Sequence, residues 1–167
     1  MEPGPHRIPC VERVTKRTIL PAPERYKSIR EHLLGDCGVT LFATSKIASR
    51  CRRGFPRALD GVPFLLPSET STLRRVLEQW FEKQRIRPLI VGEFDDSALI
   101  KVFGQAGKGV FAAPSIIEAS VRRQYNVSIV GRLDGARERF YAVSAERRLK
   151  HPAVIAITES ARRELFG

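Results

Sequence analysis

The chain has 167 residues, 43% hydrophobic and 28% charged, with a formal net charge of +11. That apolar share supports a real core and excludes wholesale disorder, and no apolar run approaches the about 18 residues of a membrane-spanning helix. The basic balance is what a nucleic-acid or acidic-surface partner would meet, but the Lys and Arg residues are spread thinly and form no run interleaved with aromatics of the kind a single-strand platform needs.

Residues 1–31 read as an irregular or disordered lead-in, because five of the eleven prolines fall there (Pro3, Pro5, Pro9, Pro21 and Pro23) among scattered charges. From Leu33 the pattern becomes regular. Cys37 to Thr44 is a short apolar run with the composition of a buried strand, and a short helix is expected around Ser45–Arg50. Val62 to Pro67 is a second strand. The clearest helix runs from Ser71 to about Gln84. Its residues Leu73, Val76, Leu77, Trp80 and Phe81 form one apolar stripe, and Thr70 or Ser71 is placed to cap it. Pro88 to Phe94 is the next strand. A helix follows from about Asp95, with Asp95 and Asp96 in its first turn, where the helix dipole favours negative charge. Gly109 to Ala113 is a strand, and Ser115 with Glu118 three residues later has the form of a capping box. Two further strands, "NVSIVGRL" and "RFYAVSAE", precede a last helix opened by His151 and Pro152. That helix would bury Val154, Ile157, Ala161 and Leu165. Strands alternating with helices imply an α/β sheet with helices on its faces.

The candidate chemistries thin out when tested. Gly104, Gly107 and Gly109 around Lys108 suggest a phosphate loop, but a Walker loop needs Ser or Thr after the lysine and a strand before it. Gly109 follows here, and a helix precedes. The glycines read instead as a left-handed cap at Gly104 and a tight turn into the next strand at Gly107 and Gly109. Adjacent carboxylates at a helix start do not face one another, so Asp95 and Asp96 read as caps; Glu69 and Glu93 could join them around a hard cation only if the fold gathered them. The three histidines are scattered and no nucleophile elbow exists, so no catalytic set can be assembled and the chain is not expected to be an enzyme. The three cysteines lack metal-ligand spacing and read as reduced thiols. No metal and no cofactor are expected. The start is basic without a following apolar segment, which gives no secretory signal and leads to an expected cytoplasmic location.

One constellation recurs. Three helices begin just beyond apolar strands, at Thr70/Ser71, at Asp95 and at Ser115. In an open α/β sheet such tips border a ligand crevice, and their free N–H groups suit anionic or polar ligands. Ser68, Thr70, Ser71, Asp95, Asp96 and Ser115 are therefore the candidate effector-binding residues.

At these residues the chain resembles a known family. "GQAGKGVFAAP" is similar to the G-x-G-[IV]-x-x-x-P signature in the effector domain of LysR-type transcriptional regulators. "VGEFDDSALIKVFG", "GDCGVTLFAT", "LEQWFEKQRIRP" and "FYAVSAERRLKHPAV" extend the likeness from about Leu33 to Phe166 and narrow it to sodium-responsive activators. The resemblance implies a periplasmic-binding-protein-like (type 2) effector domain, α/β in class. One lobe, about residues 37–133, is complete, and residues 139–167 return to the other. It implies an effector in the cleft that is a small molecule or an ion, sodium among them, and homo-oligomers in full-length members. DNA would be bound only through an N-terminal winged helix-turn-helix, which this chain is expected to lack, starting as the resemblance implies about halfway along a full-length member. With one cleft wall, the chain alone is expected to bind inducer weakly or not at all, and Phe140–Ser144 and Val154–Leu165 are expected to expose apolar surface. The alternative reading is a small basic protein binding nucleic acid through non-specific phosphate contacts.

Overall fold

The structure is a computed structural model and describes residues 30–144 and 152–166. The chain order is β1 (Arg30–Ala43), α1 (Ser45–Arg52), β2 (Pro63–Pro67), α2 (Thr72–Gln84), β3 (Leu89–Phe94), α3 (Ser97–Gln105), β4 (Phe111–Pro114), α4 (Glu118–Tyr125), β5 (Ser128–Ser144) and α5 (Pro152–Phe166), with single 3-10 turns at Arg57–Leu59 and Ser115–Ile117. β1 lies between β4 and β5 and is antiparallel to both, while β2 and β3 form a parallel pair. A single parallel bridge, Phe64 to Val110, joins the two sheets: Leu65 donates to the Val110 carbonyl and Val110 to the Pro63 carbonyl, each over 2.8 Å.

β2, β4 and the Val39–Ala43 part of β1 carry continuous apolar runs because both of their faces are covered. Leu41, Leu66 and Ala112 face one cluster, packed with Leu73, Leu77, Trp80 and Phe81 of α2 and with Ala48 and Cys51 of α1. Their neighbours Phe42, Leu65 and Phe111 face the opposite cluster, with Ile100 of α3 and Val121 of α4. The period of two along each strand thus divides the core into two layers around one sheet.

β1 and β5 are longer than the sequence suggests. Arg30 and Glu31, inside the expected lead-in, pair with Ser144 and Val143. The two expected C-terminal strands are one strand, β5, and the gap between them is a bulge. Gly38 pairs with Arg137 and Thr40 with Arg132, so Val39 alone stands opposite Leu133, Asp134, Gly135 and Ala136. Gly135 accommodates this at φ 72°. Beyond the bulge, residues 30–38 of β1 and 137–144 of β5 form a two-stranded arm. α5 meets that arm, where Arg162 donates to the Leu33 carbonyl over 2.8 Å. The side chains of Val154, Ile157 and Leu165 lie outside the described ones, while Ala161, expected to be buried, is half-buried.

Two of the three glycine assignments change. Gly107 has φ 73° and turns the chain after α3. Gly104 is no cap: it is buried within α3, and a Cβ there would lie 2.1 Å from the Phe111 ring. Gly109 is required by close approach, since a Cβ would lie 2.8 Å from the Pro63 carbonyl oxygen.

Candidate functional site

The first two helix tips converge. Ser71, Asp95 and Asp96 line one cavity of about 40 Å³, together with Phe94, Lys101 and the β4 residues Ala112 and Ala113. The parallel β2–β3 pair ends side by side, Pro67 opposite Phe94, which brings the chain into α2 and the chain into α3 to the same edge. Ser68 N–H donates to the Phe94 carbonyl over 2.9 Å and fixes the first turn to the second. Ser71 is the N-cap residue of α2, as expected, but its hydroxyl makes no capping bond. That Oγ is buried with no hydrogen-bond partner. Asp96 caps α3 by accepting from Ala98 N–H over 2.6 Å, and Asp95 precedes it. Ser68 and Thr70 bond to each other through their hydroxyls at 3.2 Å.

The third tip is occupied differently. Ser115 Oγ and Thr40 Oγ1 share a 2.7 Å hydrogen bond, and Thr40 also donates to Glu118 Oε2 over 3.1 Å. Glu118 takes a two-pronged grip from Arg132, at 3.0 and 2.8 Å. Burial opposes the charge on Glu118, but the hydrogen bonds from Arg132 and Thr40 outweigh it and hold its carboxyl below the usual value. The capping box expected at Ser115 is absent: a 3-10 turn covers Ser115–Ile117, and α4 begins only at Glu118. Ser115 reaches the cavity only through the β4 backbone that leads to it.

The carboxylates weighed as a cation cluster are not gathered. Glu93 is taken by Arg74 of α2 at 2.8 Å, and among the described residues no group of three or more His, Cys, Asp or Glu is placed to hold a metal. Arg74, 5% exposed, lies outside the apolar stripe of α2, so nothing in the local sequence marked it as buried. It also donates to the Pro67 carbonyl and to Glu78, and so ties α2 to the ends of both parallel strands. Cys37 and Cys51 are free thiols, both pushed up by burial; Cys10 lies outside the described residues. No helix among the described residues is long and apolar enough to cross a membrane.

Comparison with known families decides what this arrangement is. The model of the LysR substrate binding domain matches residues 18–165. The chain belongs to that family. The LysR substrate-binding match begins inside the segment read as a lead-in. Over 134 residues, 80% of this chain, it is 35% identical to the transcriptional activator protein NhaR of Escherichia coli (strain K12), and to the same degree to that of Shigella flexneri. The match covers 44% of those proteins, so the chain spans less than half the length of the curated relatives it matches. Among solved structures, the effector binding domain of QuiR in complex with shikimate superposes with a TM-score of 0.53 at 19% identity, over 86% of this chain and 68% of that one. The AmpR effector binding domain from Citrobacter freundii gives 0.60 at 17% identity, covering 82% and 68%. Vibrio fischeri DarR in complex with DNA gives 0.57 at 18%, covering 84% and 47%. At these identities the likeness establishes the fold, which is the expected periplasmic-binding-protein-like α/β effector domain. The comparisons give no support to a basic nucleic-acid-binding protein.

Proposed function

We propose that this chain is the effector-sensing part of a cytoplasmic LysR-type transcription activator akin to NhaR, and that it has no enzymatic activity of its own. The effector is held where the helix tips meet, with Ser71, Asp95 and Asp96 forming its wall and Ser68, Thr70 and Ser115 setting the positions of the loops around it. The observation that carries this reading is the buried, unpartnered Ser71 hydroxyl beside the Asp95–Asp96 turn in a shared cavity. A buried polar group without a partner is costly, and a bound ligand atom would relieve it. The cavity's size, about 40 Å³, suits a water-sized guest; Lys101 shares its lining with Asp95 and Asp96, so the choice of sodium rests on the likeness to NhaR and not on a ligand cage.

The break at the β5 bulge supports a division into a lobe over residues 37–133 and a returning segment over 139–167. DNA is contacted through a separate module in the assembled regulator, which acts as a homo-oligomer.

A domain exchange tests the proposal. The matching segment of Escherichia coli NhaR is replaced by residues 33–166 of this chain, and a reporter is followed with sodium and with potassium at equal ionic strength. Sodium-dependent activation that falls in Ser71→Ala and Asp95→Asn is the expected result. A chimera that accumulates and occupies its promoter but ignores sodium overturns the ion assignment.

A further inference from the structure

A second concavity lies away from the helix-tip cavity and shares none of its lining residues. It is a groove of about 610 Å³ between the outer face of α2 and the bulged part of β5. That volume falls within the about 300–1,000 Å³ typical of small-molecule sites. Its apolar wall comes from Val76, Trp80, Ala136 and Tyr141, and its rim carries Arg75, Lys83, Arg137 and Arg139.

The charges on this rim are unevenly committed. Arg137 is held by Asp36 across the strand pair. Arg75, Lys83 and Arg139 make no side-chain hydrogen bond or ion pair to another described residue. Lys83 reaches over the groove from α2 and comes within 3.9 Å of where a Cβ on Gly135 would stand. Two carboxylates, Glu31 and Asp134, share the lining; Arg75, Lys83 and Arg139 outnumber them, although Arg139 also feels the charge of nearby Asp36. The wall holds an unspent donor too: Trp80 is 4% exposed, and its indole N–H is buried without an acceptor. Guanidinium groups flanking aromatic faces form a fork for a carboxylate above a surface for an apolar ring.

We propose that this groove is a second ligand site, which binds a small carboxylate with an apolar ring. The ring lies against Val76 and Tyr141, beside the buried edge of Trp80, whose ring is itself stacked on Phe55, and the carboxylate meets Arg75, Lys83 and Arg139. This site stands independently of the effector reading, because no residue is common to the two.

Trp80 is the only tryptophan of the chain, so its fluorescence reports the groove directly. The full chain is titrated with benzoate, and with benzylamine as the cationic counterpart of the same ring. Benzoate is expected to change the Trp80 emission saturably, and benzylamine is not. Replacing an exposed cation, Arg139→Gln or Arg75→Gln, weakens the benzoate constant about tenfold, the loss of one charge-assisted contact. Ser71→Ala leaves it unchanged, which separates this groove from the helix-tip cavity. The site is overturned by an absent or non-saturating response to benzoate, by an equal response to benzylamine, or by full-strength binding in both arginine variants with native circular dichroism.

Discussion

Arg74 of α2 donates to Glu93 of β3 over 2.8 Å, and it does so from inside the protein while Glu93 stays half-exposed. Burial works against the charge on Arg74, but Glu78 and Glu93 outweigh it and hold the guanidinium firmly protonated. The same side chain donates to the Pro67 carbonyl over 3.0 Å, so one residue fixes the helix to the ends of both parallel strands. Arg74→Met keeps most of the packed stem and loses every bond; it should lower unfolding stability by about 2 kcal/mol. Glu93→Gln should cost well under half of that, because solvent already screens the carboxylate. Urea denaturation of the two variants checks the order, and equal losses would contradict it.

Gly104 tests which of two opposing effects wins. Alanine in a helix interior is favoured over glycine by about 1 kcal/mol. Here its Cβ would stand 2.1 Å from Phe111, a fully buried ring stacked on Phe42 with centroids 5.6 Å apart. The ring must shift against its buried neighbours to admit the methyl group, and overpacking of this kind costs about 1–3 kcal/mol. Gly104→Ala is therefore expected to lower the melting temperature despite its better helix propensity, and a rise would show that the ring yields.

The grip of Arg132 on Glu118 sets an acid-sensitive element. The Glu118 carboxyl is lowered from an ordinary value of 4.5. A depressed carboxyl contributes stability that is complete above its unfolded value and is lost as pH falls through the folded one. Below about pH 4.5, Glu118→Gln should therefore lose less stability per pH unit than the parent chain, and near neutrality it should be the less stable of the two. Denaturation midpoints measured from pH 7 to pH 3 decide this, and parallel curves would reject it.

A fourth expectation concerns association. Val143 of the arm is exposed, as the resemblance implied, but the larger apolar surface lies elsewhere. Leu89, Ile90 and Val91 on β3 and Leu99, Val102 and Phe103 on α3 are all at least 40% exposed. β3 lies at the end of its strand pair, and an apolar edge strand invites pairing. Val91→Lys and Val102→Glu should each shift the chain toward monomer in sedimentation experiments at little cost in stability, since both side chains face solvent. Unchanged self-association in both would place the contact on another face.

The parts of this molecule that follow from neighbouring residues were legible in its sequence. The α2 stripe declares itself, and Leu73, Leu77, Trp80 and Phe81 are all buried. The parallel strands β2 and β3 fall within a residue of their expected limits. What could not be read depends on distant partners. Gly104 resembles a helix cap until Phe111 folds against it. Ser115 and Glu118 have capping-box spacing, but Thr40, 75 residues from Ser115, engages both side chains. The reach of β1 into a charged, proline-flanked segment comes from its ladder with β5, and Asp36 meets Arg137 across 101 residues. Of the candidate site, the turns carrying Ser71, Asp95 and Asp96 were visible as helix starts; the shared cavity needed the register Pro67–Phe94, which no local pattern encodes.

The bulge at Val39 gives this protein a mechanical joint. The β1–β5 register also slips by one residue at Leu34 and at Val130, but the slack is greatest at this bulge, where Leu133–Ala136 on one strand face Val39 on the other. A twist of the arm against the helix-covered sheet would meet its weakest resistance at Asp134 and Gly135, where the ladder is most interrupted. The anion groove borders those same two residues, so a guest wedged there would act as a brake on the swivel.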